Sequence, residues 1–154
     1  GRFFDGARIG IALYGVNPVS GDKTPLLPVM TFRAAVIAIN TVKKGDFIGY
    51  SRGYRAKKDM RVAIISTGYA DGLPRALSNK GMIFCNGQFL KIVGKVSMDS
   101  VAVDAGDADV KIMDEVVVFG DEITVTDVAN RADTLPYEIL TGVSERVKRV
   151  YKNP

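Results

Sequence analysis

The sequence predicts a mainly β domain, a small barrel or sandwich. The specific form expected is a small Greek-key β-barrel with two short helices near the C-terminus. Three observations predict the class. Short runs rich in Val, Ile and Phe recur between turn signals roughly every 8–12 residues, the rhythm of small barrels and sandwiches. Asn86-Gly87 splits one apolar stretch as a type I′ hairpin turn does. Helix-capping signals gather near the end of the chain.

The elements follow in order. Arg8 to Gly15 reads as an apolar strand with Gly10 inside it, a sign of close backbone approach. Asn17 to Pro28, with Pro, Gly, Ser and Lys, reads as a loop or linker. Val29 to Asn40 is a strand partly buried on both faces, and Lys43-Lys44-Gly45-Asp46 is a turn. Gly49-Tyr50-Ser51-Arg52-Gly53-Tyr54-Arg55 comes next, with a tight bend at Arg52-Gly53. After a turn at Ala56 to Asp59, Met60 to Ser66 forms the strand between two Gly-Tyr steps. Ala76 to Gly81 is a loop, and Met82–Cys85 pairs with Gln88–Val93 across the Asn-Gly turn. Ser100–Asp104 and Glu115–Phe119 are strands, separated by a turn at Ala105 to Asp109. Thr126 is expected to cap a helix over Asp127–Arg131, and Thr134 a second with Pro136 in its first turn. Arg146 to Tyr151 is expected to return to strand.

Composition narrows the chemistry. A length of 154 residues suits one domain with a real core. No apolar run approaches a membrane span and no signal peptide opens the chain; Gly1-Arg2-Phe3-Phe4-Asp5 reads as the interior of a longer protein. Cys85 is the sole cysteine, which rules out an internal disulfide and makes a reducing compartment the default; the expected setting is the cytoplasm, as a cytoplasmic protein or as the cytoplasmic domain of a membrane-anchored parent. Histidine is absent, which removes Ser-His-Asp and Cys-His machinery and most zinc sites. Proton transfer must then use Tyr, Lys, Cys or a carboxylate. The net charge of +4 fits a solvated basic surface, or a field around a small anion. No RNP-like aromatic block or long basic run points to nucleic acid.

The tyrosines are the first candidates. A glycine beside an aromatic at a strand end exposes the ring, which favours function over packing for Tyr50 and Tyr69. A phenol titrating near 10 needs positive charge nearby to work as a base, and Arg52, Arg55, Arg75 and Lys95 are the candidates. Asp71 and Asp99, in Gly-Tyr-Ala-Asp-Gly and Ser-Met-Asp-Ser, are preferred as turn-holding aspartates over acid/base or metal carboxylates. Cys85 reads as a small hairpin residue, because no histidine can activate it. These residues define a basic β domain with an exposed tyrosine cluster; they do not define a reaction.

Four motifs in order carry a resemblance: Arg8-Ile-Gly-Ile-Ala-Leu-Tyr-Gly15, Gly49-Tyr50, Gly68-Tyr-Ala-Asp-Gly72 with Arg75, and Gly94-Lys-Val-Ser-Met-Asp99. They resemble the alanine racemases, pyridoxal-phosphate enzymes with an N-terminal (β/α)8 barrel and a C-terminal β domain. The resemblance covers essentially the whole chain. It implies that residues 1–15 are the last piece of the barrel, 16–28 a linker and 29–154 the β domain. It implies a homodimer acting on a small amino acid, alanine or serine. In that enzyme a barrel lysine and a tyrosine from the partner move the α-proton on opposite faces. Tyr50 resembles that catalytic tyrosine. Met98 matches the position whose N–H helps hold the substrate carboxylate. Arg8 matches the arginine on the cofactor's pyridine nitrogen, and Gly10 and Ile11 match N–H donors to its phosphate. Tyr69 and Arg75 resemble entryway residues, with Asp71, Lys95 and Asp99 entryway or supporting positions.

Two departures stand out. Lys95 replaces the family's arginine, keeping charge but losing the planar fork. Glu145 stands where the family often has a pocket tyrosine, which keeps serine open beside alanine. The barrel lysine has no counterpart here, so this chain alone is expected to bind no cofactor. A basic-faced binding module and a decarboxylase of the same layout are the competing readings. The decarboxylases lack the Gly-Tyr-Ala-Asp-Gly and Met-Asp pairing.

Overall fold

The computed structural model describes residues 5–6, 8–19, 21–22 and 24–152. The ends of the expected barrel piece and β domain, and part of the linker, therefore lie outside the described residues. Strand β1 (Phe32–Val42) is the centre of the domain. Its first half pairs with β8 (Glu115–Phe119) and its second with β4 (Met60–Ile65), both antiparallel. It can serve both because the register shifts between Val36 and Ala38, a bulge that bends the strand. Strand β7 (Val101–Asp104) extends the sheet beyond β4, while β5 (Met82–Cys85) and β6 (Gln88–Lys91) extend it beyond β8. The order is β6-β5-β8-β1-β4-β7. A separate ribbon pairs β2 (Phe47–Ile48) with β3 (Tyr54–Arg55).

The expected closed barrel is corrected in part. The six-stranded sheet is open in its ladder, and among the described residues its edges meet at one bridge, Ile92 to Val103. The hairpin residues stop pairing with β5 at Lys91, and Val93 N–H turns to the Ala102 carbonyl instead. The mainly β class and the two C-terminal helices stand as expected. So does the Asn86-Gly87 turn, where both residues take positive φ. The core runs under the sheet through Val36, Ile65, Ile83, Val116 and Phe119 to Ile139 of the second helix. A smaller cluster of Ile48, Ala56, Met60, Val62 and Val93 roots the β2–β3 ribbon.

Four local expectations are overturned. Arg8–Gly15 is not a strand: Ile11–Tyr14 make one 3-10 turn, closed by Gly15 at φ 79°. With no strand pairing to that segment among the described residues, local bonds from Leu13 N–H to Gly10 and Gly15 N–H to Ala12 satisfy the backbone. Helix α1 (Val125–Ala132) starts before Thr126, because Thr124 and Asp127 form a reciprocal capping box. Helix α2 (Pro136–Gly142) is capped at Leu135, while the Thr134 hydroxyl donates to the Glu138 carboxylate. Arg146–Tyr151 is not a strand, because Ser144 turns the chain there and the Arg146 side chain is committed elsewhere.

Candidate functional site

The β2–β3 ribbon lifts Tyr50 out of the sheet. Its base is buried through Ile48 and Ala56, but Tyr50 at the tip is 73% exposed. The tip is tightly specified. Gly49 takes φ 75° and ψ 177°, a region open to glycine alone. Ser51 and Arg52 follow, both at φ 54°. Two successive left-handed residues without glycine cost on the order of 1–2 kcal/mol each, so the surroundings must hold the tip. Glycine at 53 lets it rest on the next segment: a Cβ there would lie 3.0 Å from the Lys95 Cγ and 3.1 Å from the Lys95 N. Arg52 and Arg55 both lie over the Phe47 ring, at 5.0 and 5.8 Å from its centroid, which stiffens the ribbon.

Asn79 completes the anchoring. Its amide donates to the Gly53 carbonyl at 3.0 Å and accepts from Gly94 N–H at 2.7 Å. One side chain thus ties the tyrosine tip to the segment after β6. Ser78 beside it accepts from Val96 N–H at 3.0 Å and donates to the Arg75 carbonyl at 2.6 Å. The Asn79→Ala substitution removes two part-buried hydrogen bonds and is expected to cost about 2 kcal/mol. Urea unfolding checks this: the midpoint should fall with the slope unchanged.

The segment Gly94 to Ser100 is the hub on which the loops meet. On its other side lies the Gly68–Gly72 loop. Tyr69 N–H donates to the Ser97 carbonyl and Ala70 N–H to the Met98 carbonyl, each at 3.0 Å. The contact is possible only because residue 68 has no side chain; a Cβ there would sit 2.2 Å from the Met98 O. Asp71 accepts from Gly68 N–H at 2.8 Å, so it does hold its turn. Among the described residues the Asp99 carboxylate accepts from Arg146, at 2.5 Å, and not from a backbone N–H; Arg146 also donates to Asp71 at 2.7 Å. These hydrogen bonds, Asp99 first and Asp71 second, hold the Arg146 guanidinium above its ordinary pKa.

The predicted residues thus fall into two groups. Tyr50, Tyr69, Asp71, Arg75, Lys95, Met98 and Asp99 lie on loops pinned to one hub, with both tyrosines and Met98 exposed. Arg8, Gly10 and Ile11 lie elsewhere. Gly10 and Ile11 line a groove of about 780 Å3 with Tyr137 and Leu140 of α2 and Val147 to Tyr151 of the tail. Helix α2 spans the two regions: its Gly142 carbonyl would lie 2.5 Å from a Cβ on Gly72. Three residues escaped sequence reasoning: Ser78, Asn79 and Arg146. Their only signal was a cluster of short polar groups ahead of a glycine, and an arginine between two valine-rich stretches.

Burial, then the nearby Asp114 charge, pushes the Cys85 thiol up, the opposite of an activated nucleophile. No group of His, Cys, Asp or Glu suited to a metal occurs among the described residues. No helix among them is long and apolar enough to cross a membrane.

Fold and site together define a β domain that displays a cluster of hydrogen-bonded loops, one of them tipped by an exposed tyrosine. The family model described as alanine racemase, C-terminal domain, matches residues 29–151. The catabolic alanine racemase of Rhizobium johnstonii is 43% identical, over 95% of this chain and 40% of its own length. The alanine racemase of Brucella canis is also 43% identical, over 97% of this chain and 42% of its own. Among solved structures, the Bartonella henselae alanine racemase with covalently bound pyridoxal phosphate superposes with a TM-score of 0.89. It is 42% identical over 93% of this chain and 40% of its own. The biosynthetic enzyme from Pseudomonas aeruginosa gives 0.87 at 34% identity, over 94% and 41%. The chain belongs to the alanine racemase family, as its C-terminal domain. It spans about two-fifths of the length of the relatives it matches.

Proposed function

We propose that this domain serves an enzyme that interconverts L- and D-alanine, and that it supplies Tyr50 as a proton-handling base to the site of a partner subunit. The observation that carries this reading is the tip itself. A phenol is held at a strained, multiply anchored hairpin end, yet stands 73% exposed. Strain that the surroundings maintain marks a position whose placement matters. A base exposed on its own chain suits a site completed by another copy.

The groove residues fit a cofactor phosphate. A Cβ on Gly10 would meet only the Tyr137 hydroxyl, at 3.9 Å, so backbone there is open to approach. Among the described residues nothing accepts from the Gly10 or Ile11 N–H. Gly10 and Ile11 would hold that phosphate, and Arg8 the ring nitrogen, in an enzyme of full family length. Pyridoxal phosphate, when bound, supplies the electron sink that makes an amino-acid α-proton removable. Arg8 is a poor proton donor to a ring nitrogen, so it limits that sink and favours reversible proton transfer. Met98 would orient the substrate carboxylate through its N–H. Tyr50 would take or give the α-proton on one face, opposite a lysine of the barrel. Tyr69, Arg75 and Lys95, with Asp71 and Asp99 behind them, would shape the approach. Residues before 16 would belong to the barrel's end, and the assembly would be a cytoplasmic homodimer.

Serine is the second substrate reading, because exposed Glu145 stands where the family often has a pocket tyrosine. Chiral chromatography of products formed by a racemase of full family length carrying this domain tests both. Interconversion of alanine is expected, and the isolated chain should turn nothing over. Turnover of serine well above alanine would replace the first substrate with the second, and no turnover of either would end the racemase reading.

A further inference from the structure

We propose that Arg146 is a positioning residue that locks the Tyr69 loop and the Met98 loop into one rigid unit. The proposal rests in part on the racemase reading, but its geometry stands alone. Among the described residues two backbone bonds join the loops, Tyr69 N–H to Ser97 and Ala70 N–H to Met98. Two such bonds near water contribute little net stability. Arg146 adds what they lack. Its Nε donates to the Asp71 Oδ1 at 2.7 Å and its Nη2 to the Asp99 Oδ1 at 2.5 Å. One planar guanidinium thereby joins carboxylates from the two loops through charge-assisted bonds.

The joint reaches both loop backbones. The Asp71 Oδ2 accepts from Gly68 N–H at 2.8 Å, and the Asp71 carbonyl accepts from Ser144 N–H at 3.2 Å. Arg146 is itself placed by Ser144, whose Oγ accepts from Arg146 N–H at 3.3 Å. Burial is graded along the chain of contacts: Asp71 is 13% exposed, Arg146 48% and Asp99 60%. Asp71 therefore leans most on its partner, since a carboxylate shielded from water and stripped of its cation is strongly disfavoured. Lysine cannot replace the arginine, because a single ammonium does not present two coplanar donors to two carboxylates. The consequence for function is a division of labour. Tyr50 is set by the ribbon and Asn79, whereas the Met98 N–H and Tyr69 are set by Arg146.

Amide hydrogen exchange on this 154-residue chain is the test. In Arg146→Met, the Tyr69 and Ala70 amides should exchange on the order of ten-fold faster or more, while Val36 and Val93 keep their wild-type rates. Arg146→Lys should not restore slow exchange. Asp99→Asn, which strips the charge from one arm while keeping an acceptor oxygen and leaving the buried carboxylate alone, should give a smaller change in the same two amides. Unchanged Tyr69 and Ala70 rates in both Arg146→Met and Asp99→Asn, or rates rising in step with the core, overturn the proposal. In a racemase of full family length, Arg146→Met should raise KM about ten-fold with kcat within about three-fold. A fall in kcat at unchanged KM overturns the division of labour. Faster Tyr69 and Ala70 exchange in Arg146→Met, together with a full-length wild type that racemises nothing, supports the lock and ends the racemase reading.

Discussion

In a racemase of full family length carrying this domain, Tyr50→Phe is expected to lower kcat/KM for alanine about 10²–10⁴-fold, the range for loss of a positioned acid/base group. The ring, its packing and the glycine-framed tip all survive this change, so the loss isolates the hydroxyl. Enantiomers have equal free energy, so kcat/KM must fall equally in both directions, whichever face Tyr50 serves. Solvent exchange separates the faces. With Tyr50 silenced, the base on the other face still works, so the α-proton of one enantiomer should exchange with deuterated water without inversion. The other enantiomer should not exchange. Equal residual exchange of both would mean that the phenol is not one of the two bases. The fold should be untouched, and melting within 1 °C or so of wild type checks that.

Gly68→Ala is the largest expected effect on the scaffold. The added Cβ would meet the Met98 O at 2.2 Å and the Ser97 O at 2.3 Å. Both are backbone atoms, and both accept the bonds that dock the Tyr69 loop. Neither can swing aside as a side-chain end would, so the loop must lift off the hub. The combined overpacking and hydrogen-bond loss is expected to cost about 3 kcal/mol. That corresponds to a melting temperature lower by roughly 6–12 °C in a chain of this size. Gly142→Ala is the matched control, because a Cβ there meets nothing within 4 Å. Calorimetry of the two variants should separate them clearly; equal melting temperatures would show that the close approach at Gly68 carries no weight.

Much of the fold was legible because its signals are local. Val29–Asn40, Met60–Ser66 and the Asn-Gly hairpin were readable from β-branched runs bounded by turn residues, and Glu115–Phe119 matched to the residue. The errors arose where tertiary partners decide. Arg8–Gly15 has the composition of a strand, but among the described residues no strand pairs with it, and it coils into a 3-10 turn. The open edge between β6 and β7 depends on where pairing stops, which composition does not encode. The Thr124–Asp127 box is present in the sequence, but Thr126 directly before Asp127 offers a competing cap signal. At the site, the Gly-Tyr steps marked the exposed rings, because glycine at a strand end leaves a local trace. Asn79 and Arg146 left only a weak, unspecific one, since each acts on residues distant in sequence: Gly53 for one, Asp71 and Asp99 for the other.

The central claim is that Tyr50 acts across a subunit boundary, and mixing tests it most directly. One full-length variant carries Tyr50→Phe; a second lacks the barrel lysine that is proposed to hold the cofactor. Each homodimer should be nearly inactive. After subunit exchange, heterodimers verified by mass should regain a substantial share of racemisation, because one of their two sites again has both bases. Verified heterodimers that stay as inactive as their parents would contradict the account.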